Sequence, residues 1–318
     1  MVSKFPRLAL DNVRTFSVTQ RKNLVTIDNM AQPDQDSPAV WNSPELSILA
    51  ELIMEARRND RPVVWSMGAH VIKNGLSRYI IRLIDLGIIT HVMGNGAASI
   101  HDFELAFLGG TSEDVAQSIE DGSFGMWEET GRWMNEALHI GAQRDLGYGE
   151  SLALYIQNHS DRFPFADDCV IARTIAKGQL YTCHISLGTD IIHQHPTVDF
   201  SDLAYCSGLD FKQMCLTIQK LDGGIFLNFG SAVSGPSLFL RGLALSYNLG
   251  YQVVPLAVAN FDIQPEQGIR RGPHGSVMPR SRRELLNPVE MLGGQAYHFT
   301  ITHEVSIPNL YTLLLKLN

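Results

Sequence analysis

Pro62-Val63-Val64-Trp65-Ser66-Met67-Gly68-Ala69-His70 is a β-branched and aromatic run that stops abruptly at a glycine. Residues 75–86 then carry apolar side chains at helical spacing, and Ile89-Thr90-His91-Val92-Met93 is a second short β-rich run that ends in Gly94-Asn95-Gly96. Strand, glycine turn, amphipathic helix and strand make a βαβ unit, and its parallel strands need cover on both faces of the sheet. Working outward, the same order returns with strands expected at 180–187, 224–229, 252–258 and 296–302. Helices fit between them at about 112–140, 150–160, 165–177, 208–221 and 236–249, although Asp121-Gly122-Ser123-Phe124-Gly125 threatens to break the longest. The pattern predicts an α/β fold, a Rossmann-like, mostly parallel sheet with helices on both faces.

Upstream, Ser43 reads as an N-cap and Pro44 as the first residue of a helix. Leu46, Leu49, Ala50, Ile53 and Met54 share one face of that helix, which should end near Asn59-Asp60. Residues 1–43 mix charges, Thr, Gln and Pro and read as an arm, leaving 44–318 as a single nucleotide-binding domain. The arm is long enough to reach a neighbouring subunit.

Hydrophobic residues at 45% and charged residues at 18% describe a chain able to bury a large core. A net charge of −8 argues against a nucleic-acid partner, which needs clustered Lys and Arg. The basic run from Arg270-Arg271 to Arg280-Ser281-Arg282-Arg283 is local, either a solvated loop or a lid over an anionic ligand. Cys169, Cys183, Cys206 and Cys215 lack CxxC spacing, and no apolar stretch approaches a membrane span. A cytoplasmic protein with reduced thiols and no membrane partner is expected.

In an open parallel sheet, ligands sit beyond the carboxyl ends of the strands, where glycines let backbone amides approach phosphate. Here Gly68-Ala69-His70, Gly94-Asn95-Gly96, Gly188-Thr189-Asp190 and Gly230-Ser231 follow successive strands, and four such turns at one edge point to a nucleotide. The GxGxxG fingerprint itself is absent, since Gly94-Asn95-Gly96 gives only its first half. Asp190 and Glu304 are placed to hold a ribose hydroxyl or simply to cap a loop, and His70 and His101 to move protons near neutral pH or to bond backbone.

These same segments resemble deoxyhypusine synthase. The stretch Gly68-Ala69-His70-Val71-Ile72-Lys73-Asn74-Gly75, with the helix after it, is similar to that family's Thr-Ser-Asn-Leu-Ile-Ser-Ser-Gly segment. Thr90-His91-Val92-Met93-Gly94-Asn95-Gly96 resembles its Val-Thr-Thr-Ala-Gly-Gly strand and turn, with Asp102 at the acid that closes the motif. Leu187-Gly188-Thr189-Asp190 is similar to the Thr-Asp-Gly-Ser strand end, Phe229-Gly230-Ser231 to a glycine-rich turn, and His303-Glu304-Val305-Ser306 to Ala-Asp-Ala-Ser at the adenosine end. The resemblance runs from about residue 45 to 315. It implies NAD as cofactor at Gly68, Ala69, Gly94, Asn95, Gly96, Gly188, Thr189, Asp190, Gly230, Ser231 and Glu304, and a homotetramer with NAD sites at subunit contacts.

Two groups of that family's chemistry are not found at the matching places. Leu292-Gly293-Gly294 stands where the family has Trp-Gly-Lys, the lysine that forms an imine, and Ser234-Gly235-Pro236-Ser237 stands where it has its catalytic histidine. Aminobutyl transfer through a lysine imine is therefore not expected. Lys73 alone lies in a strand-end turn, as a phosphate partner or as a solvated helix-start lysine.

A different chemistry is offered by Asp190-Ile191-Ile192-His193-Gln194-His195. On an extended segment His193 and His195 would point the same way and, with Asp190, hold zinc or iron; hydrogen-bonding histidines beside a pocket are the plainer account and no metal is the expectation. Trp127, Met134 and Leu138 fall on one helical face and read as core or subunit contact. Three functions follow: an NAD-dependent enzyme acting on a small polar substrate, a non-catalytic nucleotide-binding or assembly protein, and a metal-dependent hydrolase.

Overall fold

The computed structural model describes residues 4–36, 39–266 and 278–318. In chain order the elements are β1 (Val25–Thr26), α1 (Pro44–Arg58), β2 (Val63–Met67), α2 (Ala69–Lys73), α3 (Ser77–Asp85), β3 (His91–Asn95), α4 (Gly96–Leu108) and β4 (Gly110–Thr111). Next come α5 (Val115–Asp121), α6 (Glu128–Gln143), α7 (Tyr148–Asn158), α8 (Val170–Ala176), β5 (Leu180–His184), α9 (Phe200–Gln219), β6 (Ile225–Phe229) and α10 (Ser234–Asn248). The chain ends with β7 (Ala257–Asp262), a π-helical turn leading into α11 (Asn287–Leu292), β8 (Gln295–Thr300) and α12 (His303–Leu317).

Local chemistry sets these bounds. The Ser43 hydroxyl accepts from the Leu46 amide at 3.2 Å to start α1, and Leu46, Leu49, Ala50 and Ile53 are buried beneath it. Asn95 caps α4 through the Ala98 amide at 2.8 Å, and Gly109, at φ 66°, ends it in the left-handed conformation that glycine adopts without strain. The expected helix over 112–140 is two helices, because Gly122 at φ 76° terminates α5. The expected strand at 252–258 begins only at Ala257 and runs on to Asp262. α4 and α12 form over stretches, 96–108 and 303–317, where no helix was expected.

Six parallel strands form one sheet in the order β5-β3-β2-β6-β7-β8. Numbered along the sheet's own strands this is 3-2-1-4-5-6, the doubly wound order that places a crevice where the winding reverses, between β2 and β6. One apolar core packs α1, α3, α4, α6, α7, α8 and α12 on one face. Met214 and Ile218 of α9, Phe239 and Leu243 of α10 and Val289 of α11 cover the other. Trp127, Met134 and Leu138 are buried in the monomer, which settles them as core. All four cysteines are free, and among the described residues no helix is long and apolar enough to cross a membrane.

Parts of the segment before α1 pack on their own chain, while Leu8 and Val40 are exposed. β1 pairs antiparallel with β4, Met30 is buried in the main core, and Arg21 reaches Glu104 of α4 at 2.7 Å. The basic run divides. Arg270 and Arg271 lie outside the described residues, while Arg282 pairs with Glu266 and Glu290, and Arg283 with Glu284.

A polar chain crosses the buried sheet at β3 and β5. His91 Nδ1 meets Thr217 at 2.9 Å, its Nε2 meets Thr182 at 2.8 Å, and Thr182 meets His184 Nε2 at 3.0 Å. Burial, helped by the neighbouring His184, pushes the His91 imidazole down to about 3, and burial pushes His184 down to about 4. Folded His91 therefore stays neutral while the unfolded chain takes up a proton below about 6.5, so its contribution is full above that pH and is lost as pH falls. Buried Asp102 and Asp210, whose carboxyls burial raises to about 6 and about 8, act in the opposite sense. Comparison with His91→Gln cancels them: the stability gap between wild type and variant, from urea unfolding, should narrow by roughly 2 kcal/mol between pH 6.5 and 5.

Candidate active site

The turns that follow β2, β3, β5 and β6 all lie at the carboxyl rim of the sheet. At its centre is the reversal crevice, where the Gly68 turn meets the Gly230 turn so closely that a Cβ on Gly68 would lie 2.7 Å from the Gly230 carbonyl oxygen. Only hydrogen fits there, and the contact is backbone against backbone. From this centre the rim opens into two hollows on either side of the short helix α2.

The first hollow, about 360 Å³, lies over β6, β7 and β8. His70 and Asn74 line it from α2, Gly230 from the central turn, Asp262 from the end of β7, and Thr302, His303 and Glu304 from the start of α12. Asn74 Nδ2 donates to Glu304 Oε1 at 2.9 Å, and the buried His303 has no partner at Nδ1. Burial, opposed by Glu304 and Asp262, lowers the His303 imidazole. Carboxylates, an amide and helix-start amides are the groups that hold sugar hydroxyls and a heterocycle.

The second hollow, about 210 Å³, lies on the β3 and β5 side. Ala97, Ile100, His101 and Glu104 face it along one side of α4, with Lys73 from α2, Thr189 and Asp190 after β5, and Arg21 from the N-terminal segment. Asp190 sits directly on the first residue of α4, where a Cβ on Gly96 would fall 1.9 Å from its Oδ2. That oxygen has no hydrogen-bond partner, and burial pushes the carboxyl up to about 6. Behind it His193 Nδ1 accepts from the amides of Gly188 and Asp190, both at 3.1 Å, which puts the proton of the neutral ring on Nε2, 3.8 Å from Asp190 Oδ2.

His101 belongs to a longer chain. Its Nδ1 lies 2.7 Å from the Thr111 hydroxyl, which donates at 2.5 Å to Glu104 Oε2. Glu104 Oε1 accepts from Arg21 at 2.7 Å and from Thr130 at 2.8 Å. Burial raises the Glu104 carboxyl, but the Arg21 ion pair, His101 and these bonds outweigh it and the net shift is downward. Burial brings His101 down to about 4, against the pull of Glu104 and with help from Lys73, Arg21 and His70, so the ring is neutral at physiological pH.

The expected nucleotide residues thus fall into groups. His70, Gly230 and Glu304 line the first hollow, with Gly68 behind Gly230 and the half-buried Ala69 beside it; His101, Thr189 and Asp190 line the second, with Gly96 beneath Asp190. Four others have structural employment. Gly94 lies inside β3 with a Cβ position 2.3 Å from the Tyr181 hydroxyl, Asn95 caps α4, Ser231 Oγ accepts from the Gly235 amide at 2.9 Å, and Gly188 is a turn at φ 88°.

Two expectations need correction. Residues 191–194 are a 3₁₀ turn, so His193 and His195 do not point together: His195 Nε2 goes to the Gly125 carbonyl at 2.9 Å, and no group of three or more candidate metal ligands forms among the described residues. Gly294, expected where a catalytic lysine would stand, precedes β8 at the opposite, amino edge of the sheet, pressed on the Pro255 carbonyl and away from both hollows. The lysine at the rim is Lys73, which is half-buried and lines the second hollow rather than standing in solvent.

No protein-family model and no curated protein matches the sequence. Solved structures share the fold. An LOR/SDH protein from Methanococcus maripaludis S2 is similar at TM-score 0.54 and 14% identity, over 89% of this chain and 71% of that one. Unliganded AgrE is similar at TM-score 0.54 and 13% identity, and AgrE in ternary complex with ornithine and NAD+ at 0.51 and 13%. In both, the match covers 88% of this chain but only 34% of AgrE, so this chain spans about a third of that protein. None of these is a deoxyhypusine synthase, and at such identities the likeness is one of Rossmann-like fold.

Proposed function

We propose that this protein binds NAD or a closely related dinucleotide across the reversal crevice and uses it in a redox step on a small polar substrate held in the second hollow. The observation that carries this reading is the Gly68–Gly230 contact, a side-chain-free crevice flanked by one hollow lined with sugar-binding groups and another lined with titratable ones. The fold shared with AgrE, whose structure holds ornithine and NAD+, supports the choice of nucleotide. Asp262 and Glu304 would hold ribose hydroxyls, and Lys73 would meet a phosphate or an anionic group of the substrate.

Once bound, the nicotinamide would supply a two-electron acceptor or donor. The chain's residues manage the proton that accompanies those electrons. His101, neutral with Nε2 bare, takes the proton released when a substrate hydroxyl or amine becomes a carbonyl or imine, and returns it in the reverse direction. Asp190 lines the same hollow beside His101, its main chain held by the bond from its amide to His193 Nδ1 at 3.1 Å. The metal-hydrolase alternative loses its support once His193 and His195 turn to different partners.

Calorimetric titration with NAD is the direct test. Saturable binding near one site per chain is expected, and no heat of binding at millimolar NAD would remove the proposal.

A further inference from the structure

The N-terminal segment lies far from the sheet rim in sequence, yet Arg21 is buried beside Glu104 with side-chain exposures of 2% and 1%. Burying such a pair is costly unless its geometry does something else, since packed apolar side chains of similar volume often serve stability as well or better. The bonds around it show what that is. Glu104 accepts at Oε1 from Arg21 and Thr130, which leaves Oε2 to Thr111 alone. A threonine hydroxyl has one hydrogen, and given to Glu104 that hydrogen cannot also go to His101. Thr111 must therefore accept from His101 Nδ1 at 2.7 Å. The ring's proton is fixed on Nδ1, and its lone pair is fixed on Nε2.

We infer that Arg21, Glu104 and Thr111 are positioning residues that lock His101 in the Nδ1–H tautomer, so that the N-terminal segment completes the proton-accepting site in the second hollow. Each link has its own reason. Arg21 keeps Glu104 charged, Glu104 orients the Thr111 hydroxyl, and Thr111 selects the tautomer of His101. His101 and Glu104 stand three residues apart on α4, so one helix face carries both ends of the chain, while β4, held by its pairing with β1, brings Thr111 across. When Nε2 takes up a proton, the cation forms against a chain that ends in a carboxylate, which favours transfer.

This inference rests on the proposed role of His101, but its test needs neither NAD nor substrate. Two-dimensional ¹⁵N NMR of the histidine-labelled, full-length protein at pH 7 distinguishes a pyrrole-type nitrogen, which bears hydrogen, from a pyridine-type one, which does not. Assigned by its loss in His101→Gln, the His101 ring should show a pyrrole-type Nδ1 and a pyridine-type Nε2. Thr111→Ser should keep that pattern, and Thr111→Val should lose it, with Nε2 gaining pyrrole character. A pyrrole-type Nε2 in the wild type or in Thr111→Ser would overturn the inference, as would an unchanged pattern in a folded Thr111→Val protein. If Thr111→Val does not fold, the wild-type and serine spectra still decide. A failed NAD titration with the expected tautomer would remove the nucleotide and leave the relay; a wrong tautomer with NAD bound would do the reverse.

Discussion

Arg21→Met should lower the unfolding free energy by about 3–5 kcal/mol, the loss typical when one partner of a buried ion pair is removed. The reason is the state in which the variant leaves Glu104. Its Oε1 is bonded to Arg21 at 2.7 Å in a site where the pair is almost wholly excluded from water. Without the guanidinium, Thr111 and Thr130 remain as donors but no positive charge does, and the carboxyl must either stay ionised in a poor environment or take up a proton. Arg21 also lies 5.7 Å over the Trp127 ring and bonds Asn23, contacts that methionine replaces only in part. Thermal unfolding should show a drop of roughly 5–7 °C for a chain of this size. Pairing the change with Glu104→Gln, which keeps an acceptor for Thr111 and removes the stranded charge, should restore most of the loss. A single variant within about 0.5 kcal/mol of wild type would mean that the pair is solvated and the N-terminal segment loosely held.

Gly68→Ala should weaken NAD binding on the order of a hundredfold, about 2.8 kcal/mol. The added methyl would sit 2.7 Å from the Gly230 carbonyl oxygen and 3.2 Å from its carbon, both backbone atoms that cannot rotate aside. The turns after β2 and β6 must separate, which moves the rim amides that a pyrophosphate would approach, and overpacking of this kind costs about 1–3 kcal/mol of stability as well. Gly208→Ala is the control. Gly208 lies inside α9 with open space around its Cβ position, so alanine there should leave affinity alone and stabilise by about 0.5–1 kcal/mol. Equal affinities of wild type and Gly68→Ala for NAD would place the nucleotide elsewhere.

The sheet was legible because its strands are short, apolar and bounded by glycine, and β2, β3, β5, β6 and β8 fall within a few residues of their expected places. β7 slipped because Val253, Val254 and Leu256 look like a strand, whereas the residue that anchors the true one, Asn260, is polar and buried. Its partners are Asn228 at 2.7 Å and His298 at 3.1 Å on adjacent strands, contacts that no local pattern announces. α4 was hidden for the opposite reason. Gly94-Asn95-Gly96 resembles a phosphate turn, yet Gly94 is in β3, Asn95 is a helix cap, and Gly96 is small because Asp190 lies on it. Had residues 96–108 been read as a helix, His101 and Glu104 would have stood out at i and i+3 on one face. Arg21 could not be found that way, since its partner is 83 residues distant. The place of Gly294 at the amino edge was not legible either, since a motif match carries no information on which edge of the sheet it occupies.

Hydrogen exchange of the full-length protein, read by mass spectrometry with and without saturating NAD, shows whether the nucleotide lies across the Gly68–Gly230 crevice. Slowed exchange is expected in peptides that cover residues 68–74 and 228–235, which line the crevice, with weaker slowing at 186–195. Slowing confined to other parts of the chain, or none at saturating NAD, would contradict that placement.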